Sequence, residues 1–133
     1  FSVTVRLMII FAAITALLVL TGLSIFQVAL IFGAPIGKYA WGGAHTKLPR
    51  RLKIASSMSI ILYALFAIFI LNKTGIIAVI TNQDIVNIGM WVITAYFFLG
   101  IGMNAISRSK AERNLMTPIA LALAVLFLIV SLS

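Results

Sequence analysis

Residues 7–32, 54–71, 85–106 and 115–132 form four long apolar stretches, none of which contains a charged side chain. A helix rises 1.5 Å per residue, so roughly 20 such residues cross a hydrocarbon core ~30 Å thick. Inside lipid no water satisfies backbone N–H and C=O groups, so a spanning segment is a helix or part of a closed barrel. Barrel strands alternate polar and apolar residues over about ten positions. A run such as Ile60-Ile61-Leu62-Tyr63-Ala64-Leu65-Phe66 does not alternate. The pattern predicts an all-α fold: a four-helix transmembrane bundle forming one domain over residues 1–133. The first apolar stretch is too long for a signal-peptide core and is expected to be a retained helix.

Composition agrees. Of the 133 residues, 63% are hydrophobic and 9% charged, against about 45–50% and about 25% in soluble domains. The net charge of +8 would suggest nucleic acid in a soluble protein, but in a membrane protein its distribution matters more than its sum. Lys38, Lys47, Arg50, Arg51 and Lys53 lie in the first connection, and Arg108, Lys110 and Arg113 in the third. With four spans these connections share a side, and Arg6, Lys73 and Asp84 fall on the other. The positive-inside rule then puts the basic connections in the cytoplasm and both termini outside.

Local signals mark the ends. Gly33-Ala34-Pro35 should stop the first helix and Asn72-Lys73-Thr74-Gly75 the second. Asp84 is placed to cap the third. Ser109 and Glu112 have capping-box spacing before the fourth, and Thr117-Pro118 offers another start there.

Chemistry is expected at the basic face. Residues 33–53 combine glycines, Tyr39 and Trp41 with Lys47, Arg50, Arg51 and Lys53. These cations, with Arg108 and Arg113 across from them, are the candidate site for an anionic headgroup or a partner protein. Exposed Gly42 and Gly43 amides would add donors. The plainer reading is that the charges set topology and the aromatics anchor the interface. No G-x-x-x-x-G-K-[ST] pattern supports a nucleotide loop. Among polar residues in the spans, Gln27, Tyr63 and Asn104 are the candidates for lining an intramembrane cavity, with helix-packing hydrogen bonds as the simpler alternative. Small pairs four apart, Ala12/Ala16, Ala55/Ser59 and Ala120/Ala124, would permit close helix approach.

The absences exclude more. No ionisable residue interrupts a span, where proton relays and ion pathways keep theirs. There is no Cys, and the single His45 lies in a loop, so no metal, haem or other cofactor is expected. Expected partners are membrane lipids, a second copy of the chain or another membrane protein, and not nucleic acid.

Three stretches carry a resemblance: Gly33-Ala-Pro-Ile-Gly-Lys-Tyr-Ala-Trp-Gly-Gly43, Leu48-Pro-Arg-Arg-Leu-Lys-Ile-Ala-Ser56, and Asn104-Ala-Ile-Ser-Arg-Ser-Lys-Ala-Glu-Arg113 with Thr117-Pro118. Together they resemble a family of short four-helix integral membrane proteins of bacteria. The resemblance implies a bacterial cytoplasmic membrane and carries no catalytic residue. The small multidrug exporters match in size and span count only, because they depend on a glutamate in the first helix and this one has none.

The leading expectation is therefore a non-enzymatic bundle binding an anionic lipid or a partner at its basic face. The alternatives are a small transporter of a hydrophobic or amphipathic solute, using Gln27, Tyr63 and Asn104, and an enzyme on lipid-linked phosphate with Glu112 or His45 as base.

Overall fold

The computed structural model describes residues 2–133. Four long helices, α1 (Val3–Ile31), α2 (Arg50–Thr74), α3 (Gln83–Ala105) and α4 (Lys110–Ser131), run up and down as an antiparallel bundle. Two short 3-10 turns, Gly37–Tyr39 and Trp41–Gly43, sit between α1 and α2. All four helices are long and apolar enough to cross a membrane, and the protein is a multi-pass, all-helical bundle.

Each helix extends past its apolar stretch or starts before it, for local reasons. In α2, Arg50, Arg51 and Lys53 continue the helix at its start, so the connection before it is shorter than the sequence pattern suggests. Its other end closes on left-handed Gly75 (φ 81), with the Ile76 amide donating to the Leu71 carbonyl at 3.1 Å. Gly33 (φ 90) does the same for α1, with Ala34 N donating to Ala29 O at 3.0 Å. These are the orphan carbonyls that a left-handed residue allows the chain to satisfy.

Two expectations need correction. Asn82, not Asp84, caps α3: its side chain accepts from the amides of Asp84 and Ile85. Asp84 occupies the first turn, where its charge still suits the helix dipole. Thr117-Pro118 does not start a helix, because α4 runs unbroken from Lys110 with Pro118 inside it. An interior proline costs about 3 kcal/mol in an isolated helix, and here the packing of α4 carries that cost. Its apolar window is the most buried of the four, 33% against 17% for α2.

The core explains why the helices come together. Ala13 and Ala16 are fully buried beside Leu20 on α1, and Ala124 lies beside Leu123 and Phe127 on α4. Small residues let helix backbones approach, which matters in lipid because apolar burial there gives no driving force. One polar tie, the pair of hydroxyls of Thr94 and Ser131 at 3.0 Å, joins α3 to α4 inside the core. Large apolar side chains such as Phe11, Leu18, Ile61, Val92 and Leu99 point outward, as a lipid-facing surface requires.

The two ends of the bundle differ. At the end carrying the α2–α3 connection, α2 and α3 meet closely: any side chain on Gly89 would run into the Phe69 ring. Asn72 there clasps Ile80 by donating to its carbonyl (3.0 Å) and accepting from its amide (2.7 Å). At the opposite end, called here the loop end, the α1–α2 connection folds onto the start of α4.

Candidate functional site

The loop end is built on glycines that no other residue could replace without displacement. The Gly37 amide donates to the Thr46 carbonyl at 2.8 Å, and a Cβ on Gly37 would collide with the His45 and Thr46 carbonyls. Gly43 (φ 73) lies against the Ser109 side chain so closely that a Cβ has no room. Leu30, Ala40 and Leu48 form a small buried cluster under the loop. Between these fixed points Trp41 takes a positive φ of 52, an uncommon state for a bulky residue that costs of order 1–3 kcal/mol. Its indole Nε1 donates to the Ser56 hydroxyl on α2 at 3.0 Å.

The start of α4 supplies the anchor. Ser109 caps the helix, accepting from Glu112 N at 3.2 Å, and its hydroxyl donates to the Lys38 carbonyl. Only half of the expected capping box forms. The Glu112 carboxylate does not return to the Ser109 amide. It accepts from the Ser107 hydroxyl through Oε1 and from the Gly42 amide, at 3.4 Å, through Oε2. The Ser109 amide is taken by Ser107 Oγ instead, at 3.2 Å. Glu112 thus links the third connection to the first across 70 residues of chain.

Beneath this seam lies a cavity of about 560 Å³. Gln27 reaches it from α1, Tyr63 and Ser59 from α2, Asn104 from α3 and Glu112 from α4, while Trp41 and Gly42 close it from the loop. The aromatic group of Phe66, Phe97 and Phe127 packs where the bundle tightens, with ring centroids 5.4 Å and 5.2 Å apart. The rim on α3 is Tyr96, Leu99 and Met103, one helix face, and Leu99 and Met103 are 71% and 65% exposed. The cavity therefore reaches the outer, lipid-facing surface at α3, next to the loop.

Gln27, Tyr63 and Asn104, one on each of three successive helices, share this one cavity. The Asn104 amide nitrogen is engaged by the Gly100 carbonyl at 2.8 Å, whereas Gln27 Oε1 is buried without a hydrogen-bond partner. The basic candidates stay outside it. Lys47, Arg50, Arg51 and Arg108 are exposed, Lys53 is half-buried, and Arg113 is exposed with its guanidinium donating to the Ser107 carbonyl at 3.2 Å. The two glycine amides expected to serve an anion are already engaged, Gly42 N by Glu112 and Gly43 N by Ala40 O at 2.8 Å. His45, the other candidate base, does not line the cavity with Glu112. Tyr96 has no sequence signal as a site residue, while Trp41, expected as an interfacial anchor, and Ser107, at the edge of the basic face, turn inward to the cavity. Ser107 had the only usable local signal, its place in Ser107-x-Ser109-x-x-Glu112.

Compared with known proteins, the chain matches no family model, no curated protein and no solved structure. The functional reading rests on this geometry.

Proposed function

We propose that the protein binds an amphipathic molecule in the cavity at its loop end, as a non-enzymatic bundle of the bacterial cytoplasmic membrane with both termini outside. The observation that carries this reading is the meeting of Gln27, Tyr63 and Asn104 on one laterally open cavity of about 560 Å³. Ligand sites are typically clefts of about 300–1,000 Å³, mostly apolar with a few convergent polar groups. An apolar rim on α3 suits a ligand that arrives from the membrane with its chain in lipid and its head inside.

The basic residues act at the surface. Arg50 and Arg51 stand on the uncapped first turn of α2, where the helix dipole already repels cations. Anionic headgroups at the cytoplasmic surface compensate that crowding, each Lys or Arg contributing about 1 kcal/mol. A phosphate-transfer site is disfavoured, since the Gly42 and Gly43 amides are spent. A through-path is disfavoured too, because Phe66, Phe97 and Phe127 fill the bundle beyond the cavity.

Gly100→Phe tests the reading, because Gly100 lines the cavity and a Cβ there meets nothing within 4 Å. With Trp91→Phe as background, Trp41 reports on the cavity alone. A brominated alkyl amphiphile should quench Trp41 saturably, and Gly100→Phe should remove the saturable phase. Quenching that rises linearly and ignores the block would refute a binding site.

A further inference from the structure

The cavity is bordered by a buried carboxylate and by a buried acceptor that has no protein partner. Glu112 and Gln27 are only 8% and 7% exposed. The carboxylate is held by two neutral donors, the Ser107 hydroxyl and the Gly42 amide. A carboxylate offers about four acceptor positions, so two remain. Arg113, the adjacent cation, gives its guanidinium to the Ser107 carbonyl instead. From α1 the Gln27 amide meets the Tyr63 hydroxyl, and its carbonyl oxygen is buried without a hydrogen-bond partner. A buried charge without a counter-charge is costly, and the acceptor borders the same space, where solvent or a ligand must supply its donor.

Resting on the reading of this cavity as a binding site, we propose that the head it takes is a protonated amine, paired with Glu112 and hydrogen-bonded to Gln27. An ammonium has three donors and a positive charge, the complement of the Glu112 carboxylate and of Gln27 Oε1. Trp41, Tyr63, Tyr96 and Phe97 line the walls, and a cation bound over an aromatic face is favoured. A phosphate or sulfate head would meet the buried carboxylate, whose charge repels it. The exposed side chains of Lys47, Arg50, Arg51 and Arg108 oppose entry of a cation from the aqueous side. The amine therefore enters through the α3 rim, borne on a hydrocarbon chain.

The test uses the full chain in neutral-lipid nanodiscs on the Trp91→Phe background, with Trp41 quenching by three probes of equal chain: terminally brominated dodecylammonium, dodecanol and dodecyl phosphate. The ammonium probe should bind at least about tenfold more tightly than the alcohol, the scale of one charge-assisted hydrogen bond. Glu112→Gln should erase that preference while leaving the alcohol unchanged. If Glu112→Gln loosens the loop, Gln27→Leu, which touches no loop contact, should still reduce the ammonium preference severalfold. Equal affinities, or tighter phosphate, would overturn the amine assignment yet leave the cavity as a site. Failure of all three probes to saturate would overturn the cavity reading itself. Competition by ethylammonium at matching concentration would reassign the site to water-soluble amines and overturn the membrane-borne ligand.

Discussion

The two ends of this bundle are made from the same four helices and handle polar groups in opposite ways. At the far end every buried polar side chain is matched: Asn72 clasps Ile80, Thr74 donates to Leu71, and Thr94 pairs with Ser131. The loop end buries a carboxylate among neutral donors and leaves Gln27 Oε1 unmatched. The far end sets the Phe69 ring of α2 against Gly89 of α3 beside an all-apolar groove, and the loop end frames a cavity with polar walls. Stability is invested in one end, and the capacity to take a ligand in the other. The buried side-chain atoms without a partner, Gln27 Oε1 and Thr117 Oγ1, both lie in the loop half of the bundle, and unsatisfied buried polar groups are a common trace of function.

The largest effect should come from breaking the seam between loop and α4. Gly43→Ala places a Cβ against Ser109 and forces an L-residue to φ 73. Overpacking costs typically 1–3 kcal/mol and a left-handed L-residue about 1–2. A loss of about 3 kcal/mol is expected in denaturant titrations of the detergent-solubilised protein, with new protease sensitivity confined to residues 36–48. An unchanged midpoint would mean that the loop is not seated on α4.

A matched pair on one helix sharpens the contrast between the ends. Gly89→Ala drives into the Phe69 ring, so it should destabilise by about 1–3 kcal/mol. Gly100→Ala enters open space, so it should be neutral or stabilise by up to about 1 kcal/mol through helix propensity. Equal effects would erase the proposed difference in packing. Smaller again is Thr94→Val, which removes the buried bond to Ser131. Interhelical bonds of this kind average about 0.6 kcal/mol and reach about 1.7, and the double mutant with Ser131→Ala should recover part of the loss.

How far the sequence carried this contrast follows from the range of each interaction. The four helices were legible because a span needs continuous apolarity, and the shared end of the basic connections follows from counting spans. Ser109 as a cap was legible because its bond closes within three residues. The other half of that box was not: Glu112 finds Gly42 across 70 residues, and no local pattern records a tertiary competitor. The same competitor consumes the Gly42 amide that sequence reasoning offered to an anion. Gln27, Tyr63 and Asn104 could be nominated because polar side chains are scarce in apolar helices. Their meeting on one cavity needed the crossing of α1, α2 and α3. The strain at Trp41 had no sequence signal, since only the fixed glycines on either side impose its positive φ.

The smallest expected change in stability is the most informative about the loop end. Gln27 Oε1 has no protein partner, so Gln27→Leu removes no hydrogen bond, unlike Thr94→Val at the far end. A cavity of about 560 Å³ that also presents Ser59, Asn104 and Glu112 is roomy and polar enough to hold water, which can satisfy the amide. The unfolding midpoint should therefore move by no more than about 0.5 kcal/mol. A stabilisation well beyond that would reveal a dry cavity in which the orphan acceptor carries its full desolvation cost. A destabilisation as large as that of Thr94→Val would mean that Gln27 is packing glue between helices, and the two ends would then differ only in how tightly they are filled.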